Sequence, residues 1–203
     1  MSDETRQFEI LLVEDNPGDV RLTQEALKEG TLDREQVDRW WERSPQANIG
    51  IVTGATSRLV VLDVDVDTGG EESLKELEAQ YGELPPTTIA ITGSGGLHYF
   101  FRHPASEVRN SAGKLAAGLD IRGDGGYVLA PPSRHASGGG YSVIARGGEI
   151  PPMPDWLVER LKAPTPAPRP ATNQFHRGGD TTAHNRRSGA RQSRTFWAVP
   201  HPD

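Results

Sequence analysis

The sequence has 203 residues, a formal net charge of −6, 25% charged and 34% hydrophobic residues, and no cysteine. That length allows one domain with a sizeable core or two very small ones, and the missing cysteine excludes disulfides and cysteine zinc sites and points to a reducing compartment. No apolar run approaches a membrane span and no charged-then-apolar leader opens the chain, so a cytoplasmic protein with no membrane partner is expected.

In chain order, a polar start leads into the apolar run Ile10–Val13 and then a short helix from about Asp19 to Lys28, stopped at Gly30. A second helix fits "LDREQVDRWWERSP", with Val37, Trp40 and Trp41 on its apolar side and Pro45 beyond its end. "NIGIVTG" follows as a strand. Residues 58–145 alternate strand and helix. A strand over 59–66 precedes "EESLKELEAQYG", a helix with Leu74, Leu77 and Tyr81 at helical spacing and Gly82 as its stop. "TTIAITG" and "LHYFF" sit at hairpin spacing, "GLDIRG" and "YVLAP" flank a glycine loop, and "YSVIA" reads as an edge strand. "VRNSAGKL" reads as a loop. Residues 151–162 form a closing helix with Trp156, Leu157 and Leu161 inward. From Ala163 the chain is Pro- and Arg-rich without periodicity, which predicts a disordered tail over 163–203. That tail holds six arginines and two aspartates, leaving −10 on residues 1–162. An acidic body still binds nucleic acid through a local basic patch or through metal ions that neutralise its carboxylates.

Three stretches carry chemistry. In "LVVLDVDVDTGG", Asp63, Asp65 and Asp67 alternate along a strand, about 6.5–7 Å apart on one face. A solvated sheet face is the plain reading. Aspartate is a poor strand former, however, and like charges this close repel unless a cation sits among them. Carboxylates in this pattern suit Mg²⁺ or Mn²⁺, and a two-metal site clamps both oxygens of a phosphoryl-type displacement. Asp120, in an apolar strand before a glycine loop, is the candidate third acid.

In "ITGSGGLHYFFR", Ser94, Gly95 and Gly96 make a tight turn of the kind whose N–H groups form anion-binding concavities, and His98 opens the next strand. Taken alone this reads better as a plain hairpin turn with a half-buried histidine, and the anion-binding reading gains weight only because the acidic strand precedes it and Asp120 follows it. In "GLDIRGDGGYVLAPPS", Asp120 and Arg122 share a face while Leu119 and Ile121 face the core. Arg122 suits bidentate phosphate binding or pairing with Asp124 or another acid, and the sequence favours neither.

Taken in order, "LDVDVD", "TGSGGLHYFFR" and "GLDIRGDGGYVLAPPS" resemble the three motifs of the bifunctional DNA primase/polymerase domain of the archaeo-eukaryotic primase superfamily. The likeness extends to "WWERSPQANIGIVTGATSRLVVLD" and "PPSRHASGGGY", covering about residues 31–161. It implies an α/β (α+β) fold with a mixed or antiparallel central sheet, flanking helices and an RRM-like catalytic core. It also implies metal-dependent, template-directed nucleotidyl transfer in DNA replication. Asp63, Asp65 and Asp120 would be catalytic metal ligands for two Mg²⁺ or Mn²⁺ ions, and Ser94, Gly95, Gly96 and His98 would bind the nucleotide, with Arg122, read from its own place on the strand, joining them. Partners would be DNA template and primer, nucleoside triphosphates, and a helicase or other replication protein.

"FEILLVEDNPGDVRLTQEALKEG" departs from that pattern and resembles the start of a response-regulator receiver domain, with Glu14–Asp15 as its acidic pair. The expected organisation is therefore a receiver-like segment over 1–30, a catalytic domain over 31–162 and the tail. A complete receiver is the main rival. Asp63 lies 48 residues after Asp15, and Thr92 and Lys114 fall near a switch hydroxyl and lysine. Against it, no proline follows the lysine, and a hairpin stands where a βαβ crossover is required. An inactive, truncated remnant is the other rival.

Overall fold

The computed structural model describes residues 10–13, 30–146 and 148–162. The expected helix over 19–28, the pair Glu14–Asp15 and the tail over 163–203 lie outside them.

Strand β1 (Ile10–Val13) is followed by helix α1 (Arg34–Arg43), strands β2 (Asn48–Val52) and β3 (Leu59–Val64), a 3₁₀ turn (Val66–Thr68) and helix α2 (Gly70–Tyr81). Then come strands β4 (Ile89–Ile91), β5 (Leu97–Arg102), β6 (Ser111–Ala116), β7 (Leu119–Arg122), β8 (Tyr127–Ala130) and β9 (Ser142–Ala145), and helix α3 (Asp155–Lys162). The helix starts and stops follow local chemistry. The Asp33 carboxylate caps α1 by accepting from the Glu35 N–H at 2.9 Å, and Gly82, at φ 108°, ends α2.

The strands form two sheets, one of three strands in the order β1-β2-β8 and one of six in the order β6-β7-β3-β5-β4-β9. Every pairing between named strands is antiparallel. The expected antiparallel sheet with flanking helices is thus present. The receiver reading fails on topology. A receiver places its first strand parallel to the acceptor strand in one sheet, whereas β1 runs antiparallel to β2 in a different sheet from β3.

Alternation along β3 and its neighbours sends side chains to two cores. Val60, Leu62 and Val64 point to one face with Phe101, Leu119 and Ile121, where α2 (Leu74, Leu77) and α3 (Leu157, Val158) cover them. Leu59 and Val61 point to the other with Ala90 and Phe100, against Val128 of β8 and the partly buried Ile51 of β2. The helices close one face of the large sheet, and the small sheet covers part of the other. Polar side chains on that second face are therefore left at the edge of a covered region.

Strand β6 is a correction to the loop expected over "VRNSAGKL". It is an edge strand whose pairing with β7 shifts register between Ser111 and Ala116, with Gly113 at φ 60° inside the shift. Serine, glycine and lysine give no period-2 signal, and pairing with β7 supplies what propensity does not. Strand β3 is also shorter than expected, ending at Val64.

At the other end of β3, a cavity of about 460 Å³ is lined by Arg58, His103, Ser106, Glu107 and Asp124 among others. Here Asp124 is a structural anchor. Its carboxylate accepts from the Ala55 N–H at 2.8 Å and the Val108 N–H at 2.9 Å, and the buried His103 ring lies 3.2 Å away. Burial alone would raise its pKa, but the two N–H donors and His103 outweigh that and hold it below the usual 3.8. A carboxyl lowered on folding stabilises the fold fully above its unfolded value, and that contribution is lost as pH falls through the folded value. Asp124→Asn should lower stability by about 1–3 kcal/mol at pH 7, with the gap to the parent narrowing in acid, measured as urea unfolding against pH.

Candidate active site

The site grows from one row of residues across the large sheet. Asp63 of β3 stands directly opposite His98 of β5 on one side and Asp120 of β7 on the other. Directly opposed residues share a face with Cβ atoms about 4.5–5.5 Å apart. Two aspartates and a histidine therefore sit side by side on the face that the small sheet covers in part.

Two like charges so opposed are destabilising without a counter-ion. Arg122, two residues beyond Asp120 on the same face, supplies it. Its Nη2 lies 2.8 Å from Asp63 Oδ2 and 3.3 Å from Asp120 Oδ2, so both carboxylates converge on one cationic nitrogen. Of the two readings left open for Arg122, it makes the acid pairing, with Asp63 and Asp120 in place of Asp124. Asp120 is held further by the Gly113 N–H, at 2.8 Å from its Oδ1. That contact depends on the irregular strand β6.

His98 is buried, with its Nε2 3.5 Å from Asp63 Oδ1 and its Nδ1 without a hydrogen-bond partner. Burial pushes the imidazole below its ordinary pKa of 6.5, Asp63 pulls it back up, and Arg122 adds to the lowering. The net lowering disfavours a charged ring, and its buried Nδ1 is left without a partner. It is packed edge-on to Phe100 and lies 6.1 Å, between ring centres, from Tyr141.

Ser94, Gly95 and Gly96 lie where expected, in the turn that delivers the chain into β5. Thr92 N–H donates to the Gly96 carbonyl at 2.8 Å, the Thr92 and Ser94 hydroxyls are 3.1 Å apart, and Gly95 takes φ 94°. Gly96 has no room for a side chain, since a Cβ there would lie 2.7 Å from the Val64 carbonyl oxygen at the end of the acidic strand. The glycine thus lets the turn close down on β3.

Asp65 is placed differently from the expected alternating row. With β3 ending at Val64, Asp65 caps the 3₁₀ turn, and its Oδ1 accepts from the Asp67 N–H at 3.0 Å. Asp67 is part of that turn. The three-acid strand face therefore reduces to Asp63, and the second acid on that face is Asp120. Among the described residues no group of three or more His, Cys, Asp or Glu side chains is spaced to hold a metal ion. The pair Asp63–Asp120 nonetheless fits a small hard cation, because its Oδ2 atoms already meet at a single positive charge.

The loop 133–141 is a part of the site to which no role was given from sequence. It packs on the glycine turn so closely that a Cβ on Gly93 would lie 2.3 Å from His135 Cβ, and one on Gly139 would lie 2.0 Å from the Gly93 carbonyl oxygen. Ser137 Oγ donates to that same carbonyl at 3.3 Å. The loop then brings in Tyr141, half-buried beside His98. Burial and, next, the Asp63 charge raise the pKa of its phenol. The glycines of "ASGGGY" were the available signal, since such runs mark close backbone approach.

A family model described as the bifunctional DNA primase/polymerase, N-terminal domain (Prim-Pol) matches residues 6–156. The chain belongs to this family. Every motif residue above lies within the matched span, as does the strand over 10–13 that resembled a receiver. No curated protein matches the chain. As a Prim-Pol domain, the chain has a DNA primase/polymerase-type function at the family level, and nucleotidyl transfer is the reaction class that the family suggests. No helix among the described residues is long and apolar enough to cross a membrane.

Proposed function

We propose that this Prim-Pol domain is a metal-dependent, template-directed nucleotidyltransferase of DNA replication. Its substrates would be a DNA template with primer and nucleoside triphosphates, and it would work beside a helicase or other replication protein. The observation that carries the reading is the single row Asp120–Asp63–His98, with both carboxylates converging on one cationic point.

In this reading Asp63 and Asp120 would hold a divalent cation, Mg²⁺ or Mn²⁺, and Asp65 would be the remaining carboxylate for a second one. Bound there, such ions lower the pKa of an attacking hydroxyl and offset charge at phosphate. The chain's own residues do the rest. The turn Ser94–Gly95–Gly96 faces the triphosphate with backbone and hydroxyl donors. Neutral His98 offers a hydrogen bond without adding charge, and Arg122 takes phosphate oxygens bidentately. In the transfer, the 3′-hydroxyl releases its proton to solvent, its oxygen forms a bond to the α-phosphorus, the bond to the β-phosphate bridge breaks, and pyrophosphate leaves. The rigid sheet holds these groups in register, so alignment costs little at the moment of reaction.

The test is incubation of the full chain with a primed template, labelled ribo- or deoxynucleoside triphosphates and Mn²⁺ or Mg²⁺. Extension that stops on adding EDTA is the expected result. No incorporation with either nucleotide set and either metal overturns the proposal and favours a remnant without catalysis.

A further inference from the structure

Arg122 stands where a cation at the acid pair would have to stand. Its Nη2 is 2.8 Å from Asp63 Oδ2 and 3.3 Å from Asp120 Oδ2, and its Nε is 3.3 Å from the same Asp63 oxygen. A Mg²⁺ ion bound by those oxygens needs contacts of about 2.0–2.1 Å, inside the volume that the guanidinium fills. The two cations cannot share the position.

The surroundings make the guanidinium more than a passing neighbour. Asp63 and Asp120 face each other across a strand pair and are only 21% and 28% exposed, so a positive charge beside them relieves their repulsion. Arg122 is itself 37% exposed, so its head group has an open side. It is anchored on β7, two residues from Asp120, so a side-chain rotation suffices to free the pair and no strand has to move.

We propose that Arg122 is a built-in counter-ion that competes with the divalent cation for Asp63 and Asp120, so that cation entry expels its guanidinium into the site as a ready phosphate ligand. This rests on the metal-dependent reading above. Two consequences follow. The domain without metal keeps its acid pair neutralised, and its apparent metal affinity is reduced by the fraction of molecules in which Arg122 holds the pair. A triphosphate that accepts the expelled guanidinium then favours the metal-bound arrangement, which couples the binding of cation and nucleotide.

The experiment follows Mn²⁺ binding to the full chain by electron paramagnetic resonance without nucleotide, in the parent, Arg122→Met, Arg122→Lys and Asp63→Asn. In parallel, the Arg122 Nε–H resonance of the unmodified protein is followed through a Mg²⁺ titration, which needs no variant to fold. The expected results are Mn²⁺ binding about tenfold tighter in Arg122→Met, intermediate in Arg122→Lys, and an Nε–H resonance that shifts with the half-saturation of metal binding. An unmoved resonance at saturating Mg²⁺, or Mn²⁺ affinity in Arg122→Met equal to or below the parent's, overturns the inference. Parent Mn²⁺ binding that is lost in Asp63→Asn keeps the metal site standing even then. Binding that is indifferent to Asp63 removes the metal reading itself, and the inference with it.

Discussion

Asp63→Asn should lower nucleotide incorporation by a factor on the order of 10²–10³ or more while leaving the domain folded. The substitution keeps shape and an acceptor for Arg122 but removes the charge at the centre of the row. Loss of one preorganised electrostatic group in a catalytic site has consequences of that size. The stability cost is small by comparison. The Asp63–Arg122 pair is partly exposed, at 21% and 37%, and Asp120 remains to hold the guanidinium, so about 1 kcal/mol or less is expected. Single-turnover primer extension beside thermal unfolding separates the two effects. An Asp63→Asn variant that extends primers at the parental rate would remove Asp63 from the chemistry.

Phe101→Ala should do the reverse. Phe101 is one residue past Phe100 on β5, so its ring leaves the sheet on the opposite face. There it is fully buried with Leu62, Val64, Leu119 and Leu157, among others, under α2 and α3. Truncation removes that transfer free energy and leaves a cavity in a layer with little freedom to collapse, costing about 3–5 kcal/mol. Domains of this size are typically stable by roughly 5–15 kcal/mol, so the variant should unfold at markedly lower denaturant. Whatever remains folded should keep its nucleotide chemistry, because the Phe101 ring packs on the face of the sheet opposite the acid row. Urea midpoint and activity per folded molecule are the measurements. A Phe101→Ala change within 1 kcal/mol of the parent would show that the helical face is not the main core. Together the two substitutions test one physical division, in which the helix-covered face of the large sheet holds the larger core and the other face holds a smaller core beside the charged row.

That division was legible in the sequence in part. Period-2 alternation put Leu119 and Ile121 opposite Asp120 and Arg122, and the structure places all four on the faces so read. The hairpin of β4 and β5 and the helices α1, α2 and α3 were likewise legible, because caps, glycine stops and helical spacing are local signals. Strand β6 was not, because its composition carries no strand pattern and its pairing is broken by a shift. The acidic strand was read two residues too long. Nothing local distinguishes a second alternating aspartate from a capping one, and the 3₁₀ turn that recruits Asp65 depends on how the chain enters α2.

The sequence by itself determined which face of its own strand Asp120, Arg122, Leu119 and Ile121 each take, since that follows from side-chain periodicity within a few residues. Tertiary structure alone decided which strands are neighbours. Asp63 meets Asp120 because β7 pairs with β3, and it meets His98 because β5 pairs on the other side; burial of apolar side chains on both faces of the large sheet selects that strand order. Tertiary structure also decided the partner of Arg122. A guanidinium with several acids within reach settles where two carboxylates are forced together, and that point exists only once the sheet has formed.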